Sequence, residues 1–250
     1  LSNAFPTDAT NAGTLGTPSA VAMRRSSAIY VGYCRLNHSC APNVHGAWNA
    51  MRGRQTMFAL RDISEGEELV VSYLGNMGEE QPRKDRRESL RTDFGFVCQC
   101  TKCQLKGEAL AESDARCARL GELYDEIRDA VSMSAFQNEV EAVLKTSRGG
   151  SMQRVHALRE QRRAAGVALL EERLELLKRE ASPGCASRAW DTLEALHRFC
   201  LEMGDDAAAE RYAARAAESA LIALGEQSAE YERYSRASGS ASGAARGFRD

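Results

Sequence analysis

The sequence has 250 residues, of which 27% are charged, and its formal net charge is −2. This length allows one large domain or two smaller ones. The front of the chain is mildly basic and the rest mildly acidic, and neither part is charged enough to indicate direct nucleic-acid binding. We find no run of about 18 apolar residues, so no membrane-spanning helix is predicted. The eight cysteines are expected to be free thiols or metal ligands, in the nucleus or the cytoplasm, and not a disulfide framework.

Short strands are predicted over the first third of the chain. Residues 1–27 are rich in Ala, Thr, Ser, Gly and Asn and are predicted to be largely loop. Apolar, β-branched or alternating stretches predict strands over 28–33, 44–50, 55–61 and 68–74. Together these segments predict a β-rich body.

A polar, turn-prone run at residues 35–43 interrupts those strands. Asn37 and Asn43 each carry an amide donor and acceptor. His38 offers two ring nitrogens, and Cys40 offers a potential thiolate. Burying so many polar groups is costly unless each has a partner, so we expect this run to form part of a site. Taken singly, His38 is more often a structural histidine than a functional one.

Three cysteines stand close together in the pattern C-x-C-x-x-C, formed by Cys98, Cys100 and Cys103. Zinc prefers four soft ligands in a tetrahedron, so this cluster is one ligand short. Cys40 is the natural fourth ligand, because its polar loop must be held in place. The competing interpretation is three reduced, buried cysteines that happen to be close in sequence. We favour zinc, which would attach this tail to the polar run at 35–43.

Helices are predicted over the rest of the chain. Pro82 at a tolerated first-turn position opens a charged helix at about 83–92. Ser134 with Gln137 three residues later fits a capping box at the start of another helix. The predicted helices beyond the cysteines cover 109–131, 134–145, 151–180, 187–203 and 205–224, and the last two form an αα-hairpin. The Ser/Gly/Ala-rich residues 236–250 are predicted to be disordered.

Three motifs, in chain order, carry a family resemblance: NHSCAPN at 37–43, ELVVSY at 68–73 and FVCQCTKC at 96–103. They resemble the C-terminal half of a SET domain with its post-SET zinc tail, most of all in the SET-and-MYND branch. The resemblance implies an α+β chain with a partial, β-rich SET domain and its knot-like crossing at 1–97. A post-SET zinc-binding tail at 98–106, an all-α TPR-like domain at 107–235 and a disordered tail at 236–250 would follow. We find neither a glycine-containing cofactor loop nor a MYND finger, so we expect an N-terminal truncation.

The resemblance also implies an activity and a set of site residues. The family consists largely of protein lysine methyltransferases that use S-adenosylmethionine. Tyr73 would sit at the methyl-transfer centre, Phe94 would help to wall the lysine channel, and Asn43 would tie the crossing. The implied cofactor contacts are Asn37, His38, Phe96, the backbone around Cys34 and Arg35, and Asn3. The implied ligands of a structural zinc are Cys40, Cys98, Cys100 and Cys103.

Two readings of function stay open at this point. In the first, the chain is part of an enzyme whose partner is a protein that presents a lysine, with a further protein partner for the helical domain. In the second, it is a catalytically inactive, zinc-stapled SET remnant that acts as an interaction module. The intact Asn37, His38 and Tyr73 favour the enzyme, and the missing glycine loop favours the module. A zinc-ribbon nucleic-acid binder is disfavoured, because a second C-x-x-C knuckle and a dense basic stripe are lacking.

Overall fold

The computed structural model describes residues 5–6, 27–74, 80–146, 151–180 and 185–239. Within these residues the protein is an α+β chain, as predicted, with short strands before residue 75 and helices from residue 83 onward. We call residues 27–74 the β-rich segment and the helices from residue 107 onward the helical domain. No helix in the described part of the chain is both long and apolar enough to cross a membrane.

The strands form three separate two-stranded sheets. Strand β1 (Phe5–Pro6) pairs antiparallel with β2 (Ser27–Ala28). Strand β3 (Asn37–His38) lies parallel to β6 (Val70–Val71), with His38 opposite Val71. Strand β4 (Val44–Asn49) and strand β5 (Arg54–Ala59) form the longest hairpin, with Val44 opposite Ala59. These bounds confirm the two predicted central strands to within one or two residues.

Two predicted strands are wrong in most of their length. Residues 28–33 were expected to be extended, but only Ala28 is in a strand, and a 3-10 turn begins at Tyr33 and ends at Arg35. Residues 68–74 contribute only the two residues of β6. The chain bends at Tyr73, where the backbone N–H bonds to the ring of His38 instead of to a strand. A side chain therefore takes the place of a ladder partner and ends the sheet.

Seven α-helices follow within the described residues: α1 (Arg83–Phe94), α2 (Gly107–Ala130), α3 (Met133–Thr146), α4 (Ser151–Glu180), α5 (Cys185–Met203), α6 (Asp206–Leu224) and α7 (Ala229–Ala237). The bounds of α4 agree with the prediction to the residue. Helix α1 ends at Gly95, which takes the left-handed conformation (φ 76°) that favours glycine. The side chain of Asp205 accepts a hydrogen bond from the N–H of Ala208 and so caps α6.

Two details of the helices correct the prediction. Helix α3 is capped by Ser132 and not by Ser134, because the Ser132 hydroxyl accepts from the N–H of Ala135 at 3.3 Å. Helix α7 was not predicted as an element, and it continues to Ala237, inside the stretch expected to be disordered from residue 236. The expected tail at 240–250 lies outside the described residues, as do residues 1–4 and 7–26 of the predicted loop.

The main hydrophobic core lies in the helical domain. Buried leucines of α2, α4 and α5 meet a face of alanines on α6, and Tyr234 of α7 closes one end. Small residues allow close approach there: Gly166 of α4 lies so near the ring of Phe199 that a Cβ would come within 2.4 Å of it. Helices α5 and α6 pack through Cys200 against Ala208 and form the predicted hairpin.

The β-rich segment is attached to the helical domain through its β4–β5 hairpin. The side chain of Asn49 donates to the carbonyl of Gln227 at 2.9 Å. The ring of Phe58 covers Gly225, where a Cβ would lie 2.3 Å from the ring. Ala47 packs against the main core. The hairpin therefore docks on the connection between α6 and α7.

A second attachment consists of two buried ion pairs to α4. Glu80 pairs with Arg173 at 2.8 Å, and both side chains are 6% exposed. Lys102, in a 3-10 turn within the cysteine tail, pairs with Glu180 at 3.0 Å. Arg173 and Glu180 lie seven residues apart, on the same side of the helix. The two pairs have opposite polarity, so they fix the register of α4 against Glu80, before α1, and Lys102, in the cysteine tail.

Candidate functional site

Four cysteine sulfurs meet at the junction of the polar run and the cysteine tail. The Sγ atoms of Cys40, Cys98, Cys100 and Cys103 all lie within 4.8 Å of one another. Cys40 Sγ is 3.9 Å from Cys98 Sγ and 3.6 Å from Cys103 Sγ. Zinc–sulfur bonds of about 2.3 Å in a tetrahedron separate the sulfurs by about 3.8 Å. The spacing therefore fits a zinc ion. We call these four residues the cysteine centre.

Two arginines of helix α1 lie against the cysteine centre. The guanidinium of Arg86 is fully buried, donates to the carbonyl of Gln81, and lies 3.9 Å from Cys103 Sγ. Among the described residues, no carboxylate forms an ion pair with Arg86. Arg87 donates to the carbonyls of Cys98 (3.3 Å) and Cys103 (3.1 Å). A buried cation needs a nearby anion, and a centre of thiolates supplies one, which is the charge state that zinc requires.

The thiols perturb one another strongly. Hydrogen bonding with Cys100, and then with the other two sulfurs, raises the pKa of Cys40 far above its ordinary value. Hydrogen bonding with Cys103 and Cys40 lowers the pKa of Cys100 far below its ordinary value. The four sulfurs therefore do not bind their protons independently. A divalent cation bound among them would replace the thiol protons, which is the chemistry expected of a four-cysteine zinc site.

The ring of His38 links the cysteine centre to Tyr73. Its Nδ1 accepts a hydrogen bond from the backbone N–H of Tyr73 at 3.0 Å. Its Nε2 lies 3.3 Å from Cys40 Sγ. Burial is the main cause that lowers the pKa of His38, to about 4, so the ring is neutral at pH 7. Both ring nitrogens are engaged inside the protein.

Tyr73 lies within a cluster of aromatic rings formed by His38, Tyr73, Phe94 and Phe96, which we call the aromatic cluster. Ring centroids are 5.0 Å apart for Tyr73 and Phe94, 5.3 Å for Tyr73 and His38, and 6.4 Å for Tyr73 and Phe96. The Tyr73 hydroxyl donates to the carbonyl of Leu36 at 2.5 Å. Burial, and then the charge of Cys34, raise the pKa of Tyr73, so the phenol keeps its proton. The hydroxyl is thereby fixed in one direction.

Asn37 and Asn43 tie the polar run to the strand that carries Tyr73. Asn43 donates to the carbonyl of Glu68 at 2.9 Å, and its side-chain oxygen accepts from the N–H of Val70 at 2.9 Å. Asn37 is exposed and donates to the Glu68 carboxylate at 2.6 Å. Because Asn43 is buried, its contacts hold the two segments side by side. The amide of Asn37 is instead exposed, next to the Glu68 carboxylate.

The structure brings together most of the predicted site residues. The cysteine centre, His38, Tyr73, Phe94 and Phe96 form one continuous set. Cys34 and Arg35 lie in the 3-10 turn next to Leu36, with Cys34 half-buried and Arg35 exposed. Asn3 lies outside the described residues.

Three participants were missed from sequence. Arg86 and Arg87 of α1 support the cysteine centre, and the carbonyl of Leu36 fixes the Tyr73 hydroxyl. A signal existed for Arg86, because Arg86 and Leu90 lie one turn apart on the buried face of α1. A main-chain carbonyl leaves no signal in the sequence.

Comparison with known proteins gives a consistent result. Residues 7–74 match the model of the SET domain. The chain is 35% identical over 92 residues to a histone-lysine N-methyltransferase, set5, of Schizosaccharomyces pombe, and 38% identical over 88 residues to the protein-lysine N-trimethyltransferase SMYD5 of Homo sapiens. It is also 41% identical over 70 residues to the histone-lysine N-methyltransferase ATXR2 of Arabidopsis thaliana. These alignments cover 36%, 35% and 27% of this chain. They span only 28%, 20% and 14% of the relatives.

Proposed function

Because residues 7–74 are a SET-domain segment, we propose that this chain is the part of a protein-lysine N-methyltransferase that carries the methyl-transfer tyrosine. The observation that carries the proposal is the position of Tyr73. Its hydroxyl is held by the Leu36 carbonyl, and its ring lies in the aromatic cluster next to β3. The proposed substrate is a protein that presents a lysine, in the nucleus or the cytoplasm.

The aromatic cluster suits the chemistry of a lysine amine. A lysine must be neutral to attack a methyl group, although its free pKa is about 10.4. Half-buried rings such as Tyr73 and Phe94 exclude water and thereby lower the pKa of an amine that enters between them. After transfer the nitrogen carries a positive charge, which the faces of the same rings stabilise through cation–π attraction. The rings can therefore serve both the neutral reactant and the charged product.

We assign Tyr73 an orienting role. Its phenol stays protonated, and its proton is engaged by the Leu36 carbonyl, so it is neither a base nor a nucleophile. The oxygen lone pairs are then available to align an amine and a methyl group. Holding two reactants in line is worth several kcal/mol of barrier, about 7 to 11 in favourable systems.

S-adenosylmethionine would supply the methyl group from a positively charged sulfur. The exposed amide of Asn37, the half-buried ring of Phe96, the turn at Cys34 and Arg35, and Asn3 are the groups of this chain proposed to hold it. The ring nitrogens of His38 are occupied by Tyr73 and Cys40, so His38 would contribute its main chain. The proposed cofactor site would thus lie beside β3 and the 3-10 turn that precedes it.

A structural zinc at the cysteine centre belongs to the same proposal. The sulfur spacing and the buried guanidinium of Arg86 support it. The ion would tie the polar run to the cysteine tail, which in turn holds Phe94 and Phe96 against Tyr73. Its role would be to stabilise the fold, because four protein thiolates leave no open coordination position.

The test is a methylation assay on the full-length protein that contains this chain. Tritiated S-adenosylmethionine is the donor, and purified core histones with a random lysine-containing peptide library are the acceptors. We expect transfer by the wild type and a loss of about 100-fold in kcat for Tyr73→Phe, because alignment is lost. Tyr124→Phe, at a partly exposed site on α2 outside the aromatic cluster, is the matched control and should behave as wild type.

Two results distinguish the alternatives. If the wild type neither binds S-adenosylmethionine in calorimetry nor transfers methyl to any acceptor, the enzyme proposal fails. If the wild type binds lysine peptides but does not methylate them, the alternative of a zinc-stapled interaction module replaces the enzyme proposal.

A further inference from the structure

We propose that His38 is a positioning residue that couples the cysteine centre to the main chain of Tyr73. The inference rests on the proposed function, since it assumes a metal at the cysteine centre and an orienting role for Tyr73. In this role the imidazole does not bind the cofactor. Its position depends on Cys40, and the position of Tyr73, the residue proposed to align the reactants, depends on the imidazole.

The hydrogen bonds of His38 define its tautomer. A backbone N–H can only donate, so Nδ1 must present its lone pair to Tyr73. The neutral ring therefore carries its proton on Nε2, which lies 3.3 Å from Cys40 Sγ. A metal-bound thiolate is a good acceptor for that N–H. The ring thus donates to the sulfur on one side and accepts from Tyr73 on the other.

The bend at Tyr73 depends on this arrangement. In the parallel pair of β3 and β6, the N–H of Ser39 donates to the carbonyl of Val71 at 2.9 Å. Two residues after Val71, the N–H of Tyr73 turns to the ring of His38. The chain leaves the sheet there, and the Tyr73 hydroxyl reaches the carbonyl of Leu36 on the opposite segment. The direction of the phenol therefore depends on where His38 places Nδ1.

Contacts of the His38 ring with other aromatic rings also support the coupling between Cys40 and Tyr73. The His38 ring lies 5.3 Å from the ring of Tyr73 and 5.9 Å from the ring of Phe96. The position of the His38 ring also depends on that of Cys40 Sγ, because Cys40 is fully buried and only two residues away in the chain. Groups around metal ligands commonly orient those ligands. Here the same contact acts in the other direction, from the ligand toward the proposed active-site tyrosine.

Two substitutions separate the two ends of the link. In His38→Asn, the side-chain oxygen takes the place of Nδ1 and can accept from Tyr73, but nothing reaches Cys40. In His38→Gln, the side-chain amide takes the place of Nε2 and can donate to Cys40, but nothing accepts from Tyr73. The pair of variants cuts one contact at a time with side chains of similar polarity.

The experiment follows the Tyr73 amide by NMR while the metal is exchanged. The full chain is labelled with 15N-tyrosine, which gives seven amide signals, one for each tyrosine. Tyr73→Phe identifies the signal of interest. Replacing Zn²⁺ by Cd²⁺ lengthens the metal–sulfur bonds and moves Cys40 while keeping four thiolate ligands. Neither the label nor the exchange requires methyl transfer, so failure of the enzyme proposal leaves this test valid.

The expected result is a shift of the Tyr73 amide signal on metal exchange in the wild type. This shift should be lost in His38→Asn. The amide signals of the tyrosines distant from the site should not move on metal exchange. In His38→Gln the signal should already be displaced with Zn²⁺ bound. An equal response in wild type and His38→Asn would overturn the inference, as would a wild-type Tyr73 signal that ignores the exchange. If the chain takes up neither metal, the inference falls together with the zinc site.

Discussion

The β-rich segment and the helical domain are held together in different ways. The helical domain has one continuous core of leucines and alanines. The β-rich segment has small apolar clusters, and its strands are two to six residues long. Its order comes from side-chain bonds to the main chain, such as those of Asn43, and from the cysteine centre.

The difference indicates which part would depend on the proposed zinc. A core of buried side chains stabilises the helical domain without any bound group. In the β-rich segment, little apolar area is buried to offset the entropy of ordering the chain. The proposed zinc and the contacts with the helical domain would supply the rest. The proposed active site thus lies in the part of the molecule whose order is most conditional.

Removing a ligand of the cysteine centre should have the largest effect. We expect Cys40→Ser to lose zinc and to unfold the β-rich segment, because structural zinc contributes on the order of 10 kcal/mol to folding. Helices α2 to α6 should persist, since their core lies elsewhere. Metal analysis, circular dichroism and hydrogen exchange measure the three expectations. Cys34→Ser is the control, because Cys34 lies outside the cysteine centre. Full zinc content and unchanged exchange in Cys40→Ser would contradict the proposed ligand set.

Breaking the buried pair at the end of α4 should rank second. In Glu180→Gln, Lys102 stays buried without its carboxylate, and Arg116 loses the same partner at 3.0 Å. Loss of one partner of a buried pair costs about 3 to 5 kcal/mol. The free energy of unfolding from urea denaturation measures this change. Glu175→Gln removes the exposed pair with Lys178 on the same helix and should leave the denaturation midpoint unchanged. Equal midpoints for both variants would show that the α4 contact is not needed.

Docking of the β4–β5 hairpin should contribute less to the free energy of unfolding. Substitutions at two glycines test this contribution separately. Gly225→Ala places a Cβ 2.3 Å from the ring of Phe58, at a φ of 80°. Gly66→Ala also places an alanine at a positive φ (81°), but no atom lies within 4 Å of the added Cβ. The clash should cost Gly225→Ala about 1 to 3 kcal/mol beyond Gly66→Ala. Thermal melts of the two variants measure the difference. If they melt together, the hairpin does not depend on this close contact.

The sequence predicts best what is determined locally. The prediction of α4 rests on Gly149 and Gly150 before it and the Pro183 segment after it in the sequence, and the prediction of the β4–β5 hairpin rests on alternation. The cysteine spacing also leads to the correct expectation that Cys40 lies beside Cys98, Cys100 and Cys103, because a zinc site needs a fourth ligand in addition to these three thiols. The missed features depend on contacts that only the folded chain creates. The bend at Tyr73 comes from a histidine ring 35 residues earlier.

The cap of α3 is the smallest of these errors, and it makes a sharp test. The pattern at Ser134 and Gln137 predicts a capping box, but the hydroxyl of Ser132 is the group that accepts from a helix N–H. Ser132→Ala should therefore lower the free energy of unfolding by about 1 kcal/mol, the usual value of an N-cap. Ser134→Ala should change it little, because Ser134 lies inside the helix and alanine is the best helix former. Urea denaturation of both variants decides between the positions. A larger loss in Ser134→Ala would restore the capping box and shift the start of α3. Ser132→Ala should also leave the zinc content unchanged, because Ser132 precedes α3 and is not one of the four residues of the cysteine centre.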